Sequence, residues 1–320
     1  MSAAPFPELS FRPGRAGDLR ATFELAQLAL RGSAARMGVK QGERPTDEWE
    51  AEQEWGRHRE LLEFIIAQEG GRHWICEDQG EIVGYGRVCQ FSGMEELTDL
   101  MVASSHQGCG IGRALLERCW PGDPSPQMGR LVVAAGGPAD LTLYAGFGVM
   151  PTAGHWHLRA RTAEYQERRS LEIDVAEPAV HALEADRAVT EWNRLEPRAI
   201  GHRRPMLHEF FGRTRACLAT MEEGTGRATA LCWVGGECDI GPAVAVTPED
   251  LVPVVLAALD RVAKAMEPET FGVFCATDSW WMLRRLRGLG FRVAWPSWVM
   301  SSLPLPGLDR YLPTRPPHLL

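Results

Sequence analysis

Residues 96–113 read ELTDLMVASSHQGCGIGR. A short apolar strand, Glu96–Val102, runs into a loop with three glycines, and the loop turns straight into a helix that continues through Trp120. Glycines let a backbone approach a ligand closely and take positive φ. Free N–H groups at a helix N-terminus, reinforced by the helix dipole, make an anion site suited to a pyrophosphate. Arg113 adds a mobile cation in the first turn. The run is not a Walker loop, because no Gly-Lys-Ser/Thr follows, and it does not fit GxGxxG, because position 115 is Leu. The plainer alternative, an ordinary helix N-cap turn, needs fewer glycines than this loop carries.

Working outward, the first half alternates strand and helix. Residues 8–13 read as a strand, 17–31 as a helix with Leu19, Phe23 and Ala26 near one face, and 47–67 as a second helix opened by Asp47 and Glu50 in capping-box spacing. Strands at 73–77 and 82–90 flank the turn Asp78-Gln79-Gly80, a hairpin signal. Leu131–Ala135 is a further strand, then a short helix, then a strand around His155–Ala160. The polar stretch 161–169 reads as a linker. In the second half, 179–195 and 251–264 read as helices, with strands at 217–221, 229–234, 239–246 and 271–275. A helix at 280–287 and a strand at 293–301 follow, and 303–317 is a Pro-rich extended tail. Both halves end alike, as strand, short helix, glycine turn and strand: LVVAAGGPADLTLYAGFGVMP, turning at Gly148-Val149, and FGVFCATDSWWMLRRLRGLGFRVAWP, turning at Gly290-Phe291. The order of elements predicts a duplicated domain.

The loop resembles the acetyl-CoA signature of the GNAT N-acetyltransferase superfamily, Arg/Gln-x-x-Gly-x-Gly/Ala, here Gln107-x-x-Gly110-x-Gly112. Leu143-Tyr144-Ala-Gly-Phe147-Gly148-Val149 resembles the family's Tyr-x-x-apolar-Gly-Phe element, with Val149 in place of Phe. The resemblance covers residues 8–160 and the second half only in outline. It implies an α/β (α+β) fold of two tandem GNAT-like domains, each a mixed, mostly antiparallel sheet flanked by helices. It implies a GNAT domain over 1–162 and a degenerate copy over 163–320 that completes the acceptor pocket, stabilises the first half or makes a dimer. It implies acetyl-CoA as co-substrate, with no metal. Met101, Val102 and Ala103 would meet the pantetheine amides, and N–H groups from Gln107, Gly108, Cys109, Gly110, Ile111, Gly112 and Arg113 would hold the pyrophosphate. Tyr144 would sit near the thioester sulfur and return a proton to the thiolate.

The second half departs from the pattern. Val-Thr-Pro-Glu-Asp-Leu (246–251) has no glycine loop, and its own anions occupy the helix start, where they would repel a pyrophosphate. Leu286 stands where the first half has Tyr144.

An amine must lose a proton as it attacks a thioester, and the oxyanion needs a donor. The candidates for base are the carboxylates before the loop, Glu96 and Asp99, together with Glu95; strict alternation puts Glu95 and Asp99 on one face and Glu96 on the other. A solvated strand end and a water relay are the alternatives. Residues 43–99 hold 15 acids against 5 arginines. That is either a solvated helix face or a rim that steers a cationic amine, with Trp49, Trp55 and Trp74 as aromatic surface.

The chain has 320 residues, 45% hydrophobic and 24% charged, with net charge −8. The size and balance fit two globular domains. The acidic charge argues against nucleic acid as a partner. Apolar runs are too short for a membrane span and no signal peptide is visible. Eight scattered cysteines without a CxxC pair point to reduced thiols in a cytoplasm. The expectation is thus a cytoplasmic acetyl-CoA-dependent N-acetyltransferase. Its acceptor would be a small-molecule or peptide amine, and a homodimer is left open. The competing readings are a non-catalytic CoA-binding sensor or scaffold and, more weakly, an ATP-binding regulator.

Overall fold

A computed structural model describes residues 9–37, 48–135, 137–172, 178–236, 238–314 and 320. The elements are β1 (Ser10–Pro13), α1 (Leu19–Met37), α2 (Glu48–Ile66), β2 (Arg72–Asp78), β3 (Glu81–Phe91), β4 (Met94–Val102), α3 (Ile111–Cys119), β5 (Gly129–Ala134), α4 (Pro138–Ala145), β6 (Met150–Arg161) and α5 (Thr162–Ser170). There follow β7 (Val180–Leu183), α6 (Ala185–Ile200), α7 (Pro205–Thr214), β8 (Ala216–Met221), β9 (Ala228–Val234), β10 (Ile240–Ala245), α8 (Pro248–Ala265), β11 (Thr270–Ala276), α9 (Trp280–Gly288), β12 (Arg292–Ser301) and β13 (Tyr311–Leu312). Residues 43–47 of the acidic run and 315–317 of the tail lie outside the described residues. Among the described residues no helix is long and apolar enough to cross a membrane.

The predicted turns form for the predicted reasons. Gln79 and Gly80 both take positive φ at the β2–β3 hairpin, and Gly148 and Gly290 do so at the paired turns. Four segments differ from expectation. The linker 161–169 is helical, because Tyr165 is buried and donates to Asp260 Oδ1 at 2.6 Å. The stretch from 179 begins with strand β7 before α6 starts, and α7 has no counterpart in the sequence reading. The Pro-rich tail contributes a strand, β13, with Tyr311 and Leu312 fully buried.

Eight strands form one sheet in the order β1-β2-β3-β4-β5-β12-β6-β11, and five form the other, β13-β10-β9-β8-β7. All neighbours are antiparallel except β4 and β5. The two halves therefore exchange strands β6 and β12. β12 from the second half pairs with β5 of the first (Trp298↔Ala134 to Ser301↔Leu131), and β6 from the first pairs with β11 of the second (Thr270↔Arg161 to Ala276↔His155). β6 and β12 lie against each other at the centre. One core packs α8 and α9 on the shared strands around Leu158, Leu259 and Phe291, and another joins Phe91 and Leu131 to Trp192, Trp233 and Tyr311. The cysteines are free thiols; Cys109 is exposed, Cys238 half-buried and the other six buried.

Candidate active site

β4 and β5 pair only from Met94↔Gly129 to Leu97↔Val132. Beyond Leu97 the two strands part, and a cavity of about 350 Å³ opens between them. Its walls are Leu97–Val102 of β4, the glycine loop, the first turn of α3, and Asp140, Leu143 and Tyr144 of α4.

The loop end of the cavity is built for an anion. Gly108 and Gly110 take φ of 79° and 85°, and a Cβ on either would meet nothing within 4 Å. Gly110 is the N-cap of α3 and no side chain caps it. The first intrahelical bond runs from Ala114 N–H to Gly110 O at 3.0 Å, which leaves the N–H groups of Ile111, Gly112 and Arg113 for a ligand. Gln107 Nε2 donates to Val102 O at 3.1 Å and fixes the loop against the strand. Arg113 lines the cavity beside Phe147, 5.8 Å from its ring centre. His106, also on the wall, bonds Asp78 at 3.1 Å and Ser105 at 2.8 Å. Of the ten residues expected at the co-substrate, eight line the cavity. Ala103 gives its N–H to Val83 O at 2.8 Å, and Cys109 points to solvent.

Tyr144 is 7% exposed and lines the same cavity. Its hydroxyl has no hydrogen-bond partner among the described residues. Burial first, then Asp140 and Asp99, push its pKa far up, so it is a phenol that donates and does not ionise at neutral pH.

The carboxylates fall differently from strict alternation. β3 and β4 pair as Arg87↔Asp99 but Val88↔Leu97, so Thr98 is an extra residue in β4, a β-bulge. The bulge shifts the period by one. Asp99 and Glu96 therefore share a face, and Glu95 takes the other, where Arg72 and Arg130 hold it. Asp99 lines the cavity and accepts from Arg87 Nη1 at 3.2 Å, Tyr85 Oη at 3.3 Å and Thr98 Oγ1 at 3.1 Å. Arg87 also donates to Thr22 of α1. Glu96 is fully buried, reaches neither Tyr144 nor the cavity, and accepts from His202 Nε2 at 2.8 Å and Arg204 Nη1 at 3.4 Å. It has no route to an acceptor amine, which removes the geometry expected of a base. Arg87 and Tyr85 were not legible as site residues, because their pairing with Asp99 depends on the bulge.

A second, smaller cavity of about 80 Å³ lies between α1, α2 and strands β3 and β4. Phe23, Gln27, His58 and Arg87 line it, and it shares Leu30, Asp99 and Met101 with the first. The walls of both cavities come entirely from residues 23–144, so the second half lines neither. Of the three tryptophans expected at a pocket, Trp49 is exposed, Trp55 packs on Phe23 and Trp74 packs under α3; none lines either of these two cavities.

In the second half, Thr247 caps α8 by accepting from Asp250 N–H at 3.2 Å, with Glu249 and Asp250 in the first turn. The edge of β10 that corresponds to the open edge of β4 is occupied by β13, paired as Ala243↔Leu312 and Val244↔Tyr311. Leu286, at the place of Tyr144, is fully buried in the core.

Residues 69–148 match the acetyltransferase (GNAT) domain family. No protein of curated function matches the chain. Among solved structures, a Pyrococcus horikoshii protein assigned as an acetyltransferase superposes with a TM-score of 0.67 at 14% identity, over 97% of this chain and 95% of that one. A tandem GNAT protein from the clavulanic acid biosynthesis pathway gives 0.58 at 18% identity over 93% and 99%. A GCN5-related N-acetyltransferase from Sphaerobacter thermophilus gives 0.56 at 16% identity over 94% and 97%. At such identities the likeness is one of fold. Residues 69–148 thus carry the family's domain, and the chain as a whole shares the fold of tandem GNAT structures.

Proposed function

We propose that the chain is an acetyl-CoA-dependent N-acetyltransferase that acts on a primary amine of a small molecule or peptide by direct attack in a ternary complex. The observation that carries this reading is the meeting of the two cavities at Leu30, Asp99 and Met101. One runs from the anion-binding end of α3 to Tyr144; the other reaches in between α1 and α2. Residues 1–162 are the acetyl-CoA-binding domain and 163–320 a degenerate partner.

The donor set fits a pyrophosphate and its pantetheine arm. Three unpaired N–H groups and Arg113 face the loop end, Gly108 and Gly110 leave room where a Cβ would stand, and the freed edge of β4 at Met101 and Val102 offers backbone partners for amides. Acetyl-CoA supplies the acetyl group as a thioester. The chain's residues do the rest. The loop amides fix the anionic end, so the arm has one way to lie along β4. Asp99 receives the ammonium of the acceptor, and a water passes on its proton. Tyr144 presents its O–H to the leaving sulfur. The acids of α2, whose His58 and Leu62 line the second cavity, attract a cation toward it.

A panel of primary amines assayed with acetyl-CoA, reading free thiol, tests the reading. Amine-dependent thiol release at one or more acceptors is expected. Tight CoA binding with no release from any amine would favour the sensor.

A further inference from the structure

A cluster of buried charges joins strand β4 of the first half to the second half. Glu96 of β4, Glu196 of α6, His202 and Arg204 of the α6–α7 loop, His208 of α7 and Tyr311 of β13 are all buried. Arg204 Nη2 donates to Glu196 Oε1 and to Tyr311 Oη, each at 2.5 Å. His208 Nε2 donates to Glu196 Oε2 at 2.7 Å, and Trp233 donates to the other ring nitrogen at 3.3 Å. His202 has acceptors on both sides, Glu96 Oε1 at 2.8 Å and Ile200 O at 3.0 Å. The same loop touches the β3–β4 hairpin by backbone, Ser92 N–H to Arg203 O at 3.3 Å, and Arg204 lies over Phe91.

Where the cluster grips is informative. Glu96 pairs with Cys89 on one side and Leu131 on the other, and it is the last residue but one before β4 leaves β5. The bulge that aims Asp99 begins at the next residue. A bulge leaves one residue unpaired and interrupts the ladder, so whatever holds its flank helps to set the strand beyond it. A buried ion cluster contributes little net stability but is costly to satisfy in any other register.

We infer that His202 and Arg204 are positioning residues for the first half's site: by holding the Glu96 carboxylate they pin β4 at its bulge and so set Asp99 and the open strand edge. This rests on the reading of that site as an acetyltransferase centre. The second half thus serves the reaction without lining either cavity.

The test uses the full chain as wild type and as His202→Ala, His202→Gln and Glu96→Gln. It measures steady-state transfer from acetyl-CoA to the best amine of the panel, acetyl-CoA affinity by calorimetry, and amide hydrogen exchange. His202→Ala and Glu96→Gln should lower kcat about 10- to 100-fold, the scale of a small misplacement of reacting groups. Acetyl-CoA affinity should fall by less than kcat, no more than about tenfold, because the pyrophosphate loop is untouched and only the strand edge at Met101 and Val102 loosens. Exchange at residues 97–102 should quicken about tenfold, with α8 unchanged. His202→Gln keeps one donor toward Glu96 and should recover most of kcat. A folded Glu96→Gln or His202→Ala with wild-type kcat and wild-type exchange at 97–102 would overturn the inference. If His202→Ala does not fold, Glu96→Gln and His202→Gln decide the matter alone. Should the wild type transfer to no amine, the enzymatic reading fails by itself, and unchanged exchange at 97–102 would still refute the pinning.

Discussion

The first turns of α3 and α8 follow equivalent strands and end in opposite states. Before α3 the chain runs through residues 103–110, with Gly108 and Gly110 in the left-handed region and no side-chain cap. Before α8 it has only Val246 and Thr247, and Thr247 with Asp250 closes the helix start internally. The strand edges differ in the same sense: β4 is open beyond Leu97, whereas β10 is covered by β13. One copy keeps its donors for a ligand and the other uses them within the chain. The difference shows that one fold can leave such backbone groups open in one half and satisfy them from inside the chain in the other.

That contrast can be broken most severely at Gly110. Gly110→Asp forces a non-glycine residue to φ of 85° and puts a carboxylate where the N–H groups converge. Acetyl-CoA affinity should fall more than about 100-fold, and calorimetry on the wild type should count one site per chain. Two equivalent sites would erase the distinction between the halves.

Tyr144 and Leu286 sharpen it. Tyr144→Phe should lower kcat by about 10²–10⁴-fold at nearly constant acetyl-CoA affinity, as removal of a proton donor does. Leu286→Ala, at the matching place, should cost about 2–5 kcal/mol of stability by leaving a cavity, read by urea unfolding. It should leave the KM for acetyl-CoA unchanged.

Acid should act on the first half and on the junction in separate steps. Burial, then Arg87, hold the His73 imidazole at about 4 against 6.5. The unfolded chain therefore binds the extra proton first, and stability falls as pH drops from about 6.5 to about 4. Burial pushes the Glu196 carboxyl up, but Arg204 and His208 together outweigh it and hold it at about 2 against 4.5. Its contribution is whole above about 4.5 and drains away toward about 2. Urea midpoints across this range should fall in both windows, and His73→Phe should remove the upper one only.

Thr247→Ala should cost about 1 kcal/mol through loss of the α8 cap, seen as a small fall in Tm. Smallest of all is the effect of salt. If the acids of α2 steer the acceptor, raising ionic strength should lift the KM for the amine about two- to threefold and leave that for acetyl-CoA flat or lower.

Much of this was legible in the sequence. The glycine loop, Tyr144 and the paired turns at Gly148 and Gly290 are local, and local chemistry reads from spacing. The bulge at Thr98 was not, because an extra strand residue leaves no mark in composition, and it moved Asp99 to the face of Glu96. The partners of Glu96 lie more than a hundred residues away, at His202 and Arg204. The covering of β10 was hidden in a Pro-rich tail whose two ladder residues look like any extended segment. The helix over 162–170 was masked by its polar face, with only Thr162 and Tyr165 buried.

The exchange of β6 and β12 gives the polypeptide a timetable. During synthesis the outer edge of β5 emerges long before its neighbour. β12 ends about 140 residues after β6, a wait of roughly 7–30 s at ~5–20 residues per second. Until then the nascent first half presents an unfinished sheet, the kind of edge that recruits stray strands. The halves therefore mature together, once β12 has been made, rather than at the end of the first half. A ribosome stalled after residue 172 should hold a nascent chain that proteases cut at β5 and that acetyl-CoA does not protect.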